Sequence, residues 1–195
     1  RVKWEPFAAT FLKPGAKLGG YDAVILDEVT ISYKRPPRRD PMPGIDDGMN
    51  DNFALSSAAT AHMKEYFGKS FAKELARSND FRVVEKPGAN VLRIAAHIVN
   101  LAITAPPLRD QAVDETVYTS SSGEMTLLLE AEDSLTGEVL VSVGERHEIS
   151  NGLSGFYSSN PVTNSAAVRQ LFDNWAARLR KELDQLKALP EIPEP

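Results

Sequence analysis

An α+β two-layer sandwich, with about five mostly antiparallel strands and two long helices on one face, is the fold class this sequence predicts. Three observations point to it. Strand-like runs rich in β-branched residues occur at 21–33, 81–85, 91–103 and 123–148; amphipathic helical stretches occupy about 53–78 and 164–187; and a glycine-bearing hairpin connection joins the two longest alternating segments. A length of 195 residues suits one domain, and 42% hydrophobic content suffices for one core. A charged content of 25% argues against a disordered chain.

The first 20 residues mix a few large apolar side chains with proline and glycine and keep no period, so they read as an N-terminal arm ahead of a single domain over 21–187. In YDAVILDEVTISY, Ala23, Ile25, Val29 and Ile31 share one parity and Val24 and Leu26 the other, which predicts one strand buried on both faces at its start. Residues 34–50, KRPPRRDPMPGIDDGMN, are rich in proline and glycine and read as a long exposed loop. Met63, Phe67, Phe71 and Leu75 then recur every four residues and predict an amphipathic helix with an aromatic core stripe. That helix is expected to make a right-handed crossover wherever the strands it links are parallel.

FRVVE, 81–85, is a short strand, KPGAN the turn, and VLRIAAHIVNLAI a long strand from Val91. Along it Leu92, Ile94, Ala96 and Ile98 share a face while Val99, Leu101 and Ile103 share the other. This one-residue change of parity predicts a β-bulge near Val99 or Asn100. Residues 104–122 read as a polar loop. The next segment predicts a hairpin with DSLTGE as its tip and Gly137 supplying a positive φ. Apolar pairing sets its register at Ala131 with Val141 and Leu129 with Val143. Glu130 then lies opposite Ser142 and Glu132 opposite Leu140, both glutamates pointing away from the core. The last helix begins near Asn164 or Ser165 as N-cap. Its core stripe is Val168, Leu171, Phe172, Trp175, Leu179, Leu183 and Leu186, with Arg169, Arg178, Arg180, Lys181 and Glu182 on or near the other side. ALPEIPEP, 188–195, is expected to be a frayed tail, because its prolines lack donors and break a helix.

The net charge of -5 argues against wholesale nucleic-acid binding, which needs a strongly basic face. The absence of cysteine rules out a disulfide, a thiol nucleophile or a cysteine-ligated metal, and leaves the redox compartment open. No apolar run approaches the length of a membrane-spanning helix, and a start at Arg1 suggests a processed or truncated end. His62, His97 and His147 fall on three different elements without metal-ligand spacing, and no nucleophile elbow, P-loop or dinucleotide fingerprint occurs. No cofactor is expected.

Three stretches, FLKPGAKLGGYDAVILDEVTI, VVEKPGANVLRIAAHI and LLLEAEDSLTGEVLVSVGER followed by a helix with NWAARLRKEL, together resemble a family of bacterial envelope lipoproteins catalogued as a domain of unknown function. The resemblance covers most of the chain. It implies export by a lipoprotein signal, a lipidated cysteine just ahead of the folded part, and a place on the periplasmic side, at the outer membrane. It assigns no catalytic residue.

Two function classes follow. One is a non-enzymatic binding or assembly module of the cell envelope whose partner is an envelope protein or a surface polyanion. Its candidate contacts are Arg35, Arg38 and Arg39 on the proline-stiffened loop and Phe156 and Tyr157 in SNGLSGFYSSN, where aromatics supply area and small residues adapt. The other is a hydrolase-like enzyme working on the hairpin's outer face with Glu130 or Glu132 as general base, for which a carboxyl in a deep pocket is the expected mark.

Overall fold

The computed structural model describes residues 7–35, 54–103, 118–119, 123–149, 157–158 and 161–192. Its strands are β1 (Ala9–Leu12), β2 (Ala23–Leu26), β3 (Thr30–Tyr33), β4 (Arg82–Val83), β5 (Val91–Ile103), β6 (Tyr118–Thr119), β7 (Gly123–Asp133), β8 (Val139–Ile149) and β9 (Tyr157–Ser158). The helices are α1 (Ser57–Leu75) and α2 (Pro161–Lys187). Seven strands make one open sheet in the order β1, β8, β7, β5, β2, β4, with β3 also on β5, and β6 pairs β9 in a separate ribbon.

The α+β class holds, but the sheet has more strands than the expected five and its pairing is mixed. β1, β8, β7 and β5 are antiparallel neighbours, whereas β2 and β3 run parallel to β5, and β4 parallel to β2. The parallel pairs arise because α1 returns the chain to the end of the sheet from which β2 started. Two of the extra strands are short. Residues 9–12 of the supposed arm form the edge strand β1, and Asp27–Val29 interrupts the expected single strand into β2 and β3, laid one after the other along β5.

Ser56 caps α1 by accepting the amide N–H of Ala59 at 3.1 Å, so the helix starts a few residues later than its apolar pattern suggested. α2 starts at Pro161, where a missing N–H costs nothing, and not at Asn164 or Ser165. The bulge lies where the parity change put it. The β5–β7 register slips between Val99 and Ala102, and Asn100 takes φ 54°, a left-handed conformation that asparagine tolerates. Beside it Gly123 is required, because a Cβ there would stand 2.3 Å from the Ala102 carbonyl oxygen.

One face of the sheet is buried. Leu92, Ile94, Ala96 and Ile98 of β5, Met125, Leu127, Leu129 and Ala131 of β7, and Val141 and Val143 of β8 form a single core with Met63, Phe67, Phe71 and Leu75 of α1 and the α2 stripe. Phe67 stacks on Phe71 at 4.1 Å and meets Phe172 edge-on at 5.3 Å. Ser70 of α1 donates to Asp173 at 2.7 Å and Ser78, in the turn after α1, to Asp184 at 2.6 Å, tying both to α2. The tail departs from expectation. Ile192 is buried, its amide donates to the Ala16 carbonyl and its carbonyl accepts from Gly15, so backbone pairing with the 15–16 turn holds it.

Candidate functional site

The two ends of the sheet are built differently. At one end the β7–β8 connection is a short turn. Asp133 accepts backbone N–H groups from Leu135 and Thr136 at 3.0 and 2.8 Å, and Gly137 adopts φ 71°. Tyr21 donates its hydroxyl to Asp133 at 2.8 Å, and Lys13 pairs with Glu138 across the turn. These bonds, led by the Thr136 N–H and Tyr21, hold the Asp133 carboxyl below its ordinary value; burial, reinforced by Asp133, pushes the Tyr21 phenol up to about 12. Both groups are therefore fixed structural partners at neutral pH. A surface cleft of about 460 Å³ opens here between Lys13, Lys17, Tyr21 and Glu138, and contains none of the residues the sequence singled out.

At the other end Tyr33 lies opposite Leu101, Ile103 opposite Gly123, and Gly123 opposite Ile149. The chain thus leaves β3, β5 and β8 into its three longest connections from one end of the sheet. The second and third of these are joined where β6 pairs β9, Tyr118 with Ser158 and Thr119 with Tyr157. Tyr33 also accepts the Leu55 amide at 2.9 Å, which brings the start of α1 to this end.

Of the candidate contact residues, Arg35 is exposed just beyond β3, and Tyr157 lies in β9 opposite Thr119. Arg38, Arg39 and Phe156 lie outside the described residues.

The carboxylates Glu130 and Glu132 stand half-exposed on the outer face of the sheet, as the alternation required. Glu130 is opposite Ala95 and Ser142. Glu132 is opposite Arg93 and Val139, not Leu140, because a register slip after Ala131 absorbs one residue of β8. Neither lines the cleft. Toward the loop-bearing end of β7, Glu124 receives Lys34 at 2.6 Å and also pairs with Arg146; these two hydrogen bonds lower its pKa. Thr30 and His97 share a hydrogen bond at 2.7 Å.

The three histidines stay apart, as their spacing implied: His62 sits by Glu65, His97 by Thr30, and His147, opposite Met125, lies edge-on to Trp175 at 6.4 Å. Among the described residues no group of acidic and histidine side chains is arranged to hold a metal.

The most perturbed carboxyl was missed. Glu182, placed on the polar side of the last helix by its neighbours, is buried at 6% exposure. Burial pushes its pKa up to about 7 against the pull of Arg178 and of the Phe7 N–H, and one carboxyl oxygen has no partner. Glu145 lies on the opposing strand, accepting Trp175 Nε1 at 3.1 Å and pairing with Arg178, whose guanidinium also covers the Phe7 ring. The signal was present in the sequence: 175, 179, 182 and 186 follow a helical core spacing in which Glu182 takes an apolar position. The cluster packs Phe7 of the N-terminal arm against α2, apart from the cleft at Lys13, Tyr21 and Glu138.

A family model described as protein of unknown function (DUF3313) matches residues 4–179. No curated protein matches the chain. Among solved structures it is similar to protein XCC0632 from Xanthomonas campestris, of the DUF330 family, at 13% identity over 95% of this chain and 93% of that one, with a TM-score of 0.49. It is also similar to the PelC dodecamer from Paraburkholderia phytofirmans, at 12% identity over 88% and 97% of the two chains, with a TM-score of 0.39. A DUF4136 family protein from Bacteroides thetaiotaomicron matches at 10% identity over 87% and 95%, again with a TM-score of 0.39.

Proposed function

This chain belongs to the DUF3313 family, and we propose that it is a non-enzymatic binding or assembly module of the bacterial cell envelope that engages a macromolecular partner through the loop-bearing end of its sheet. The observation that carries the reading is the convergence there of all three long connections, which include Arg35, Arg38, Arg39, Phe156 and Tyr157. A rigid sheet that gathers long segments at one end is a common way to present a binding surface, since the scaffold fixes where the loops start while their sequence sets what they recognise. The partner is an envelope protein or a surface polyanion.

A lipid tether ahead of the folded part fits this arrangement. β1 runs from Ala9, opposite Gly144, to Leu12, opposite Val141, so the chain enters the sheet from the loop-bearing side. An N-terminal anchor then holds that end toward the membrane. Labelling of the full-length precursor with a fatty-acid analogue tests the tether: incorporation lost on removal of the cysteine is expected, and an unlabelled protein refutes it. Crosslinking in the native envelope, repeated with Arg35, Arg38 and Arg39 reversed to glutamate and with Phe156 and Tyr157 changed to alanine, tests the surface. Loss of a specific crosslinked partner in either set supports the reading, and turnover abolished by Glu130→Gln or Glu132→Gln replaces it with an enzyme.

A further inference from the structure

β4 and β1, the strands at the two ends of the main strand order, differ in how they end the sheet. β4 is two residues long, carries Arg82 and is followed by Glu85, Lys86 and Pro87, which blunt the edge. β1 has neither charge nor proline between Phe7 and Leu12, and among the described residues no strand lies beyond it.

The hydrogen-bonding parity of β1 follows from the ladder. Lys13 donates its amide to the Leu140 carbonyl at 2.9 Å, so Phe11 and Ala9, two and four residues back, bond β8 in turn. The Ser134 amide to the Val91 carbonyl, at 3.1 Å, gives the same parity from the β7–β5 side. The N–H and C=O groups of Thr10 and Leu12 therefore point out of the sheet edge. Between them Phe11 stands on the outer face at 71% exposure, the largest value among the exposed large apolar residues.

We propose that β1 is a self-association edge: a second copy of this chain pairs its own β1 antiparallel to it about a two-fold axis at Phe11. Thr10 then exchanges both backbone hydrogen bonds with Leu12 of the other copy, and Leu12 with the other Thr10, so both outward-facing residues of each strand are used. Phe11 meets its symmetry mate at a non-hydrogen-bonded position, where cross-strand side chains approach most closely and aromatic pairs contribute most. Lys13 falls opposite Ala9 of the second copy, so no like charges meet in the strand. The result is one sheet continuous through both molecules. This inference is independent of the partner assigned to the loop-bearing end.

Because the chain has no cysteine, single cysteines report the register cleanly. In the proposed pairing the two Phe11 positions have Cα atoms about 4.5 Å apart, within disulfide range, whereas the two Ala9 positions are roughly 13 Å apart, beyond it. Sedimentation equilibrium of the wild type is expected to give twice the chain mass, and Phe11→Lys, a change at an exposed site, the single-chain mass with an unchanged circular dichroism spectrum and a Tm that no longer rises with protein concentration. Mild oxidation is expected to link Phe11→Cys quantitatively into dimers and to leave Ala9→Cys uncrosslinked. A wild type that stays monomeric to its solubility limit overturns the proposal. So does a dimer that survives Phe11→Lys, or one that crosslinks equally at both positions.

Discussion

The turn-bearing end of the sheet and its loop-bearing end are made from the same three strands, β5, β7 and β8, yet follow opposite rules. At the first, connections are short and their side chains are used up: Asp133 caps its own turn and holds Tyr21, Lys13 pairs with Glu138, and the Ile192 backbone closes on Ala16. At the second, the strands open into long segments rich in proline, arginine, glycine, serine and aromatics. On the function proposed above, the contrast means that stability and recognition are kept apart. Substitutions at the turn end and in the core are expected to cost stability without changing what is bound, and substitutions at the loop end the reverse.

The largest effect is expected in the core that both ends share. Trp175 is fully buried and hydrogen-bonded to Glu145, so Trp175→Ala is expected to cost about 3–5 kcal/mol and lower Tm by about 10 °C or more. Under the same conditions Glu130→Gln and Glu132→Gln, on the half-exposed outer face, are expected to stay within about 0.5 kcal/mol of wild type. Thermal melts that reverse this order would mean that the α2 stripe is not core.

A smaller loss is expected at the turn. Asp133→Ala removes the acceptor of two backbone N–H groups and of Tyr21, at a cost of about 1–2 kcal/mol, with partner capture unchanged. Capture lost in step with this substitution would break the separation of the two ends.

Smaller again, and expressed as a slope, is the pH dependence from Glu182. Its folded pKa of about 7 is raised above the ordinary 4.5, so the native state holds the proton more tightly than the unfolded chain does. The stability it contributes is therefore complete below 4.5 and lost as pH rises through about 7. Glu182→Gln is expected to flatten Tm against pH across that window. Asp133 and Glu124, whose pKa values are lowered, act in the opposite sense: they contribute stability above their ordinary carboxyl range, and it is lost as acid protonates them. A wild-type Tm that rises with pH between 4.5 and about 7 would show that Glu182 is not the group in control.

Much of the scaffold was legible because local pattern and burial agree. The parity change in VLRIAAHIVNLAI announced the bulge at Val99 to Ala102, Gly137 announced the turn, and the apolar pairs Ala131 with Val141 and Leu129 with Val143 set the hairpin register. What escaped was non-local. ATFL is a strand only because β8 lies beside it, Ile192 is ordered only because the 15–16 turn bonds it, and Glu132 faces Val139 because a bulge in the partner strand shifts the pairing. Glu182 shows the other limit: its spacing placed it on the core stripe, but its charge suggested the surface. Of the candidate contact residues, sequence supplied composition, and topology added that the strands leading into their segments end on one side of the sheet.

The most direct test of that convergence compares, in one binding assay against the partner crosslinked in the envelope, the wild type, a triple reversal of Arg35, Arg38 and Arg39 to glutamate, and Phe156→Ala with Tyr157→Ala. The account predicts that binding is lost in at least one set while every Tm stays at the wild-type value. Loss in the arginine set should come with weakening of the wild type by salt, and loss in the aromatic set with little salt dependence. Undiminished binding by both sets would contradict it.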